Sequence, residues 1–312
     1  MRYRNDDLHA DPLHRGRLRK RGRDVMIRGV HFLPSLATLG NGICGFAAIY
    51  VCTLSTNGET DQWAIMFAQH KMLWAAYLVF FAAIFDVLDG RLARLTRHTT
   101  DFGGQLDSLA DVVSFGAAPA FVALQLFKID GPQVPTSISR LTWAIGGFYL
   151  ACAMMRLARF NVTNKHGEQH HRSFQGLPSQ AAGLAVLSLV ILHQQLVSDG
   201  FFGLAKAAAT LGPVLLFGAA LLMVSDVRYP HLINTAFKGR KSIWKLVASV
   251  MAILLLVVSP SYTISTTCLL FVLVGPAYWL RYRRQLQQQQ LVAPEPDRVP
   301  PSDRLPPPAP LA

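Results

Sequence analysis

The chain contains eight stretches of mostly apolar residues, each long enough to cross a lipid bilayer. They cover approximately residues 31–53, 72–94, 105–127, 141–161, 178–197, 204–225, 243–259 and 263–281. A transmembrane helix needs about 20 such residues. The pattern therefore predicts an all-α, polytopic integral membrane bundle of about eight transmembrane helices. Only a short turn around Pro260 separates the last two stretches, so they could instead form one re-entrant pair.

The composition favours a membrane protein over a soluble enzyme or a secreted disulfide scaffold. Hydrophobic residues make up 51% of the 312 residues and charged residues 15%, whereas soluble proteins carry about 25% charged residues. All four cysteines lie in apolar stretches, without a CxxC pair or a histidine at zinc-ligand spacing. We therefore interpret them as small buried hydrophobic residues.

The net charge of +12 comes from basic residues at the ends of the apolar stretches. The first 28 residues alone carry nine Lys or Arg. A basic arm before an apolar span is typical of an anchor that faces anionic lipids, so we expect anionic membrane lipids as partners and no nucleic acid. If the N-terminus is cytoplasmic, only four basic residues fall on the outer side: Lys71, Lys128, Arg140 and Lys206. The positive-inside rule then predicts an even number of spans with both termini cytoplasmic.

Three regions follow from these patterns. Residues 1–30 form the basic cytoplasmic arm, and residues 31–284 form the membrane domain. Residues 285–312 hold a Gln run and then eight prolines. Such a composition cannot bury a core, so we expect this tail to be disordered.

Four aspartates lie within the apolar stretches, where ionisable side chains are costly and usually functional. Asp86 and Asp89 stand three residues apart, and Asp107 and Asp111 stand four apart, so each pair shares one helix face. A short connection should make the two helices antiparallel and bring the four carboxylates together. Four such charges need a compensating cation, and oxygen ligands select Mg²⁺, Mn²⁺ or Ca²⁺ over zinc. The alternative is simple pairing with neighbouring arginines.

These residues belong to a longer pattern that resembles the signature of the CDP-alcohol phosphatidyltransferase family. The pattern reads DxxDGxxAR, eight residues, then GxxxDxxxD, and its specified positions are Asp86, Asp89, Gly90, Ala93, Arg94, Gly103, Asp107 and Asp111. The surrounding sequence is most similar to the serine-accepting members. The resemblance implies that a phosphatidyl group passes from CDP-diacylglycerol to the hydroxyl of L-serine, giving phosphatidylserine and CMP, with Mg²⁺ or Mn²⁺ as cofactor.

The resemblance also implies roles for the signature residues. Asp86, Asp89, Asp107 and Asp111 would be metal ligands, and Asp111 would in addition act as the catalytic general base. The residues expected to bind the CDP-lipid donor are Gly90, Ala93, Arg94 and Gly103. Two roles for Arg94 stay open, because its guanidinium could hold a phosphate or cap the carboxylates.

An acceptor that carries a carboxylate needs a cation in its pocket. Arg156 and Arg159, at the inner end of the fourth stretch, stand three residues apart on one helix face and are the candidates for acceptor binding. Their alternative role is to reach lipid phosphates at the membrane surface. Small residues between 212 and 220, together with the family resemblance, suggest a possible homodimer.

The chain departs from the expected family pattern at two positions. Ser35 stands where an asparagine is expected, and Gln180 stands where a second proline is expected. Neither position belongs to the aspartate signature, so we expect these changes to affect local helix geometry and acceptor specificity rather than the reaction.

Two other functions are compatible with the pattern. The same chemistry could use glycerol 3-phosphate or an inositol phosphate as acceptor, although those would need a denser basic pocket. In a different class, the aspartates could bind a cation that a transporter carries. Transporters commonly show repeated halves and sites near the membrane midplane, whereas here the acids occur once and near one face. We therefore expect an enzyme in the cell inner membrane whose active site faces the cytoplasm.

Overall fold

The computed structural model describes residues 35–55, 62–96, 101–165, 176–227, 229 and 243–292, and the described elements are all helical. In chain order they are α1 Ser35–Thr53, α2 Gln62–Gln69, α3 Lys71–Thr96, α4 Asp101–Asp111, a π-helical segment Val112–Ala117, α5 Ala118–Asp130, α6 Thr136–Lys165, α7 Ser179–Ser198, α8 Phe202–Val224, α9 Ile243–Val258 and α10 Pro260–Val292. The prediction of an all-α membrane bundle is confirmed.

Seven stretches of the described chain are long and apolar enough to cross a membrane, rather than the expected eight. They lie in α1, α3, the continuous helix from α4 to α5, α6, α7, α8 and α10. The difference concerns α9, which has 16 residues and is therefore about 24 Å long. That is shorter than the roughly 30 Å hydrocarbon core, so α9 does not meet the length of a full span.

Successive spans alternate in direction, and their site residues gather at one end of the bundle. Side-chain contacts join the beginning of α1 to the end of α3, and the end of α6 to the beginning of α7. We call this end, which holds Thr38, Asp89, Arg156 and Ser179, the site end. At the opposite end, the Tyr262 hydroxyl of α10 donates to Asp199 after α7 over 2.6 Å.

Two clusters of buried apolar side chains hold the spans together. One joins α1 and α3 to α5 and α7, and the other joins α5, α6, α7, α8 and α10. Helices α5, α7 and α8 contribute to both clusters, and α7 packs against α3, α5, α8 and α10, which makes it the central element of the bundle. Because α7 begins at the site end, its packing fixes the position of the residues that start it.

A π-helical turn interrupts the long helix that runs from Asp101 to Asp130. It begins directly after Asp111 and covers Val112–Ala117. Two neighbouring helices bind it: the Tyr149 hydroxyl of α6 donates to the Phe115 carbonyl over 2.9 Å, and Ser114 Oγ donates to the Asn41 carbonyl of α1 over 2.8 Å. Such turns are frequent at functional sites, and this one adjoins the aspartate signature.

The predicted terminal regions fall mainly outside the described residues. These include the basic arm, residues 1–30, and residues 293–312 of the tail. Helix α10 continues to Val292 and includes the Gln run, past the boundary expected at residue 284. The disorder of the proline-rich part and the roles of both regions stay predictions.

Close packing of α1 against the π-helical segment generates the first testable prediction. A Cβ added at Gly45 would lie 2.6 Å from the Ser114 Cα and 2.9 Å from its Cβ. The Ser114 Cα belongs to the backbone, so relieving this clash would require the helix itself to shift. We therefore expect Gly45→Ala to destabilise the folded chain by about 1–3 kcal/mol. Thermal unfolding of the protein in detergent measures the effect.

Gly218 in α8 provides the matched control, since no atom lies within 4 Å of a Cβ added there. Gly218→Ala should leave the unfolding temperature unchanged or raise it slightly, because alanine has the higher helix propensity. Equal unfolding temperatures for the two variants would contradict the close contact between α1 and the π-helical segment.

Candidate metal centre

Three of the four signature aspartates form a cluster at the site end. Asp86 and Asp89 lie on α3 and Asp107 lies on α4, and one carboxylate oxygen from each falls within 4.8 Å of the others. Asp89 is buried, and the other two are partly buried. The two helices thus bring together both aspartates of the first pair and Asp107 of the second pair, as the sequence predicted.

The fourth aspartate, Asp111, lies beside this cluster and deeper in the bundle. It is only 5% exposed, and its carboxylate lies against that of Asp86. Its Oδ1 accepts a hydrogen bond of 3.0 Å from the Asn41 amide of α1. Asp111 is therefore adjacent to the three-residue cluster, with a hydrogen-bonding partner of its own.

Neutral side chains from two other helices donate to the aspartates of α3. Thr38 Oγ1 of α1 donates to Asp89 Oδ2 over 2.9 Å, and Gln180 Nε2 of α7 donates to Asp86 Oδ2. Sequence reasoning missed Thr38 and Asn41, and it did not connect Gln180 with the aspartates. Thr38 and Asn41 stand three residues apart in the first apolar stretch, and this spacing could have indicated a polar face on that helix. Gln180 was connected only with local helix geometry and acceptor specificity, whereas its side chain contacts Asp86 directly.

Unpartnered buried atoms show that the site is suited to a bound ion or substrate. Among the described residues, three buried side-chain atoms have no hydrogen-bond partner: Asp107 Oδ1, Asn41 Oδ1 and Arg156 Nε. All three belong to this site. Clustered carboxylates in a partly buried setting repel one another unless a cation lies between them. The oxygen donors and the unpartnered Asp107 oxygen fit a hard divalent cation.

The two candidate acceptor arginines have different surroundings. Arg156 is partly buried, donates through Nη1 to Ser179 Oγ over 3.0 Å, and interacts electrostatically with Asp111. Arg159 instead forms an ion pair of 3.3 Å with Asp226 after α8, and its side chain is 52% exposed. The two arginines therefore lie in different environments, although they share one face of α6. Of the two arginines, Arg156 is the one that interacts electrostatically with Asp111.

The residues expected to bind the donor lie along α3 and α4. Gly90 is exposed, and nothing lies within 4 Å of a Cβ added to it. Ala93 and Gly103 are partly buried. The Arg94 side chain is exposed, and its Nε donates to the Gly90 carbonyl over 3.0 Å. There is consequently open space at Gly90, next to the buried Asp89.

Comparison with known proteins agrees with this arrangement of residues. The model of the family described as CDP-alcohol phosphatidyltransferase matches residues 31–225. The chain belongs to the CDP-alcohol phosphatidyltransferase family. The matched range contains the whole aspartate signature, together with Thr38, Asn41, Arg156 and Gln180.

Several relatives carry the same name, CDP-diacylglycerol–serine O-phosphatidyltransferase. The protein from Helicobacter pylori strain J99 is 31% identical over 255 residues, which cover 81% of this chain and 93% of the relative. The protein from Bacillus subtilis strain 168 is 29% identical over 217 residues, or 68% of this chain and 98% of the relative. The protein from Methanocaldococcus jannaschii is 34% identical over 160 residues, which cover 51% of this chain and 65% of the relative.

The carboxylate cluster generates a prediction about stability. Mn²⁺ should raise the unfolding temperature of the purified chain, because a ligand that binds only the folded state stabilises it, by about 2.7 kcal/mol at 100 times its Kd. Asp107→Asn should lose most of this gain, since it removes the negative charge and replaces one carboxylate oxygen with an NH₂ group, which cannot bind a cation. Without metal, the same variant should be more stable than the wild type because it reduces repulsion. Scanning fluorimetry with and without Mn²⁺ measures both effects.

The control is Asp130→Asn, at the far end of the same long helix. Asp130 lies 3.6 Å from His193, away from the cluster, so this variant should keep the wild-type response to Mn²⁺. If Asp107→Asn responded to Mn²⁺ as strongly as the control, the cluster would not be the metal site.

Proposed function

We propose that the chain transfers the phosphatidyl group of CDP-diacylglycerol to the hydroxyl of L-serine and releases CMP. The observation that carries the proposal is the convergence, at one end of a membrane bundle, of a carboxylate cluster, open space at Gly90 and the Arg156 guanidinium beside Asp111. The names of the relatives support serine as the acceptor. A donor with lipid tails and a water-soluble acceptor would meet at such an end.

The aspartates are assigned to the metal. Asp86, Asp89 and Asp107 would hold Mg²⁺ or Mn²⁺, with Asp111 as a further ligand or immediate neighbour. The bound cation would neutralise the pyrophosphate of the donor and stabilise the departing CMP. The surrounding donors Thr38 and Gln180 support this assignment, because outer partners commonly orient metal-binding carboxylates.

Asp111 is assigned as the general base on the serine hydroxyl. In the proposed step, the hydroxyl oxygen forms a bond to the phosphorus that carries diacylglycerol, and the bond from that phosphorus to CMP breaks. The hydroxyl proton passes to Asp111, and CMP leaves with the bonding electron pair. Direct displacement of this kind inverts the configuration at phosphorus, whereas a covalent phosphatidyl-enzyme would give net retention.

The remaining signature residues are assigned to the donor. The open space at Gly90, with Ala93 and Gly103, would admit the cytidine part of the CDP-lipid, and Arg94 at the exposed end of α3 would reach a donor phosphate. Arg156 would bind the serine carboxylate through its unpartnered Nε. Arg159 is a weaker candidate for the acceptor, since its guanidinium is already paired with Asp226.

The membrane placement extends the same proposal. The site end would face the cytoplasm in the cell inner membrane, with both termini on that side and the basic arm against anionic lipids. The distribution of Lys and Arg in the sequence supports this orientation. A homodimer is part of the proposal, but it would use another surface than the small residues between 212 and 220, because Gly212, Ala219 and Ala220 are buried against other helices of the same chain.

Release of CMP by the purified chain tests the reaction. With CDP-diacylglycerol and Mn²⁺ or Mg²⁺ in detergent, we expect CMP release that depends on L-serine and stops when the metal is chelated. Asp111→Asn should lower the rate by about 10²- to 10⁴-fold, the usual contribution of a general base. Asp226→Asn, at the same end but outside the cluster, is the control and should retain most of the activity.

Each other outcome of this assay has a defined meaning. Release with glycerol 3-phosphate or an inositol phosphate in place of serine would keep the reaction and refute the acceptor. Transport of a labelled cation without CMP production would refute the enzyme and support a transporter. Full activity of Asp111→Asn would refute the role of Asp111 as base.

The contrast between the two arginines gives a prediction about acceptor binding. Arg156→Lys should raise KM for serine by about tenfold or more, because a hydrogen bond to a charged group contributes about 1.5–3 kcal/mol and lysine cannot reproduce the guanidinium geometry. The KM for CDP-diacylglycerol should change little. Steady-state kinetics with each substrate varied in turn measures both constants.

Arg159→Lys is the matched control, three residues further along the same helix. We expect its KM for serine to stay within about twofold of the wild type, since exposed ion pairs contribute little. If Arg159→Lys raised KM for serine more than Arg156→Lys did, the acceptor assignment would have to be reversed.

A further inference from the structure

Gln180 connects the central helix of the bundle to a signature aspartate. It is the second residue of α7, and its side-chain amide donates to Asp86 Oδ2. The orientation of the amide follows from chemistry, because an ionised carboxylate only accepts hydrogen bonds and must therefore face the NH₂ group. The preceding residue, Ser179, accepts from Arg156. The first turn of α7 thus contacts both the carboxylate cluster and the guanidinium beside it.

Both aspartates of α3 have one oxygen engaged in this way. Thr38 donates to Asp89 Oδ2, just as Gln180 donates to Asp86 Oδ2. In contrast, Asp107 Oδ1 is buried and has no partner. An oxygen that accepts a hydrogen bond is a weaker metal ligand, so at each of these two aspartates the oxygen without that donor is better suited to bind an ion. The Asp86 carboxylate also lies against Asp111, which is its neighbour in the proposed metal site.

The number of available oxygens affects which ion fits. Ca²⁺ takes six to eight oxygens and often binds both oxygens of one carboxylate, whereas Mg²⁺ requires six ligands in a nearly ideal octahedron. Carboxylates that bind through a single oxygen therefore favour the smaller ion. Removing the donor from Asp86 would free its second oxygen for two-oxygen binding.

We propose that Gln180 is a positioning residue that holds Asp86 in one-oxygen coordination and so favours Mg²⁺ or Mn²⁺ over Ca²⁺ at the cluster. This role rests on the metal centre of the proposed function. The family resemblance does not imply this role, because a proline is expected at position 180 and proline has no side-chain donor. Gln180 would act through Asp86 and need not touch the substrate.

The position allows a clean substitution. Gln180 lies in the first turn of α7, where backbone N–H groups have no partner within the helix. Even proline is tolerated in a first turn. Gln180→Met keeps the length of the side chain and removes the donor, and Gln180→Pro removes the donor and restores the expected family residue. Neither change should break α7.

Direct metal binding tests the proposal without any substrate. The full-length chain in detergent is titrated with Mn²⁺, free Mn²⁺ is measured by electron paramagnetic resonance, and Ca²⁺ is then added as competitor. Loss of an outer partner typically lowers metal affinity about 10- to 100-fold. We expect Gln180→Met and Gln180→Pro to bind Mn²⁺ at least tenfold more weakly and to let Ca²⁺ displace it at a lower ratio of Ca²⁺ to Mn²⁺ than in the wild type.

Gln195 offers a matched control on the same helix. It also donates to an aspartate, Asp199, over 3.1 Å, but at the opposite end of the bundle. Gln195→Met should therefore bind Mn²⁺ and resist Ca²⁺ as the wild type does. Thr38→Val removes the equivalent donor to Asp89 and should shift the ratio of Ca²⁺ to Mn²⁺ in the same direction as the Gln180 variants.

Distinct results would refute the positioning role and the proposed reaction. Unchanged Mn²⁺ affinity and unchanged Ca²⁺ competition in both Gln180 variants would overturn the role of Gln180, even if the wild type makes phosphatidylserine. A weaker affinity without any change in Ca²⁺ competition would refute the selectivity. A wild type that binds no Mn²⁺ would refute the metal centre itself, whereas failure of serine-dependent CMP release alone would leave the binding result standing.

Discussion

Repulsion between carboxylates inside a membrane bundle is the constraint on which the rest of the site depends. Asp86, Asp89 and Asp107 come within 4.8 Å, and Asp111 lies against Asp86. In a medium of low dielectric constant, these charges cannot remain ionised without compensation. The structure supplies neutral donors and a nearby guanidinium and leaves a buried oxygen of Asp107 without a partner. A divalent cation would compensate the remaining negative charge. Both the stability of the fold and the proposed chemistry therefore depend on how the repulsion between these carboxylates is relieved.

The polar partners of these carboxylates come from the ends of several helices. Alternating directions bring the beginnings of α1, α4 and α7 to the same end as the termini of α3 and α6, and each contributes a polar side chain there. The apolar middles of these helices form the two buried clusters and expose large apolar side chains on the outer surface of the bundle. Placing polar groups near helix ends keeps them close to the water that serine would come from, while the donor tails stay in lipid. The position of the site is thus a consequence of topology.

Local patterns in the sequence predicted much of this, and contacts between distant segments account for what it missed. Spacings of three and four residues predicted the pairing of the aspartates, because these spacings fix a helix face. The same reasoning treated Arg156 and Arg159 as equivalent and did not anticipate Asp226, which follows a different helix. Gln180 is 94 positions from Asp86, so no periodicity could connect them. The seventh predicted stretch, residues 243–259, is helical over Ile243–Val258, but with 16 residues it is shorter than a full span.

The π-helical segment has a consequence for how the long helix can vary. A residue added to one turn rotates everything beyond it by about 100°, since an α-helix has 3.6 residues per turn. The π-helical segment therefore sets the rotation of Asp107 and Asp111 relative to α5, whose buried face packs against α3, α7 and α8. Deleting one residue from this segment would turn either the aspartates away from α1 and α3 or the buried face of α5 away from α7 and α8. One continuous helix thus meets two packing requirements whose rotations differ by the width of a single residue.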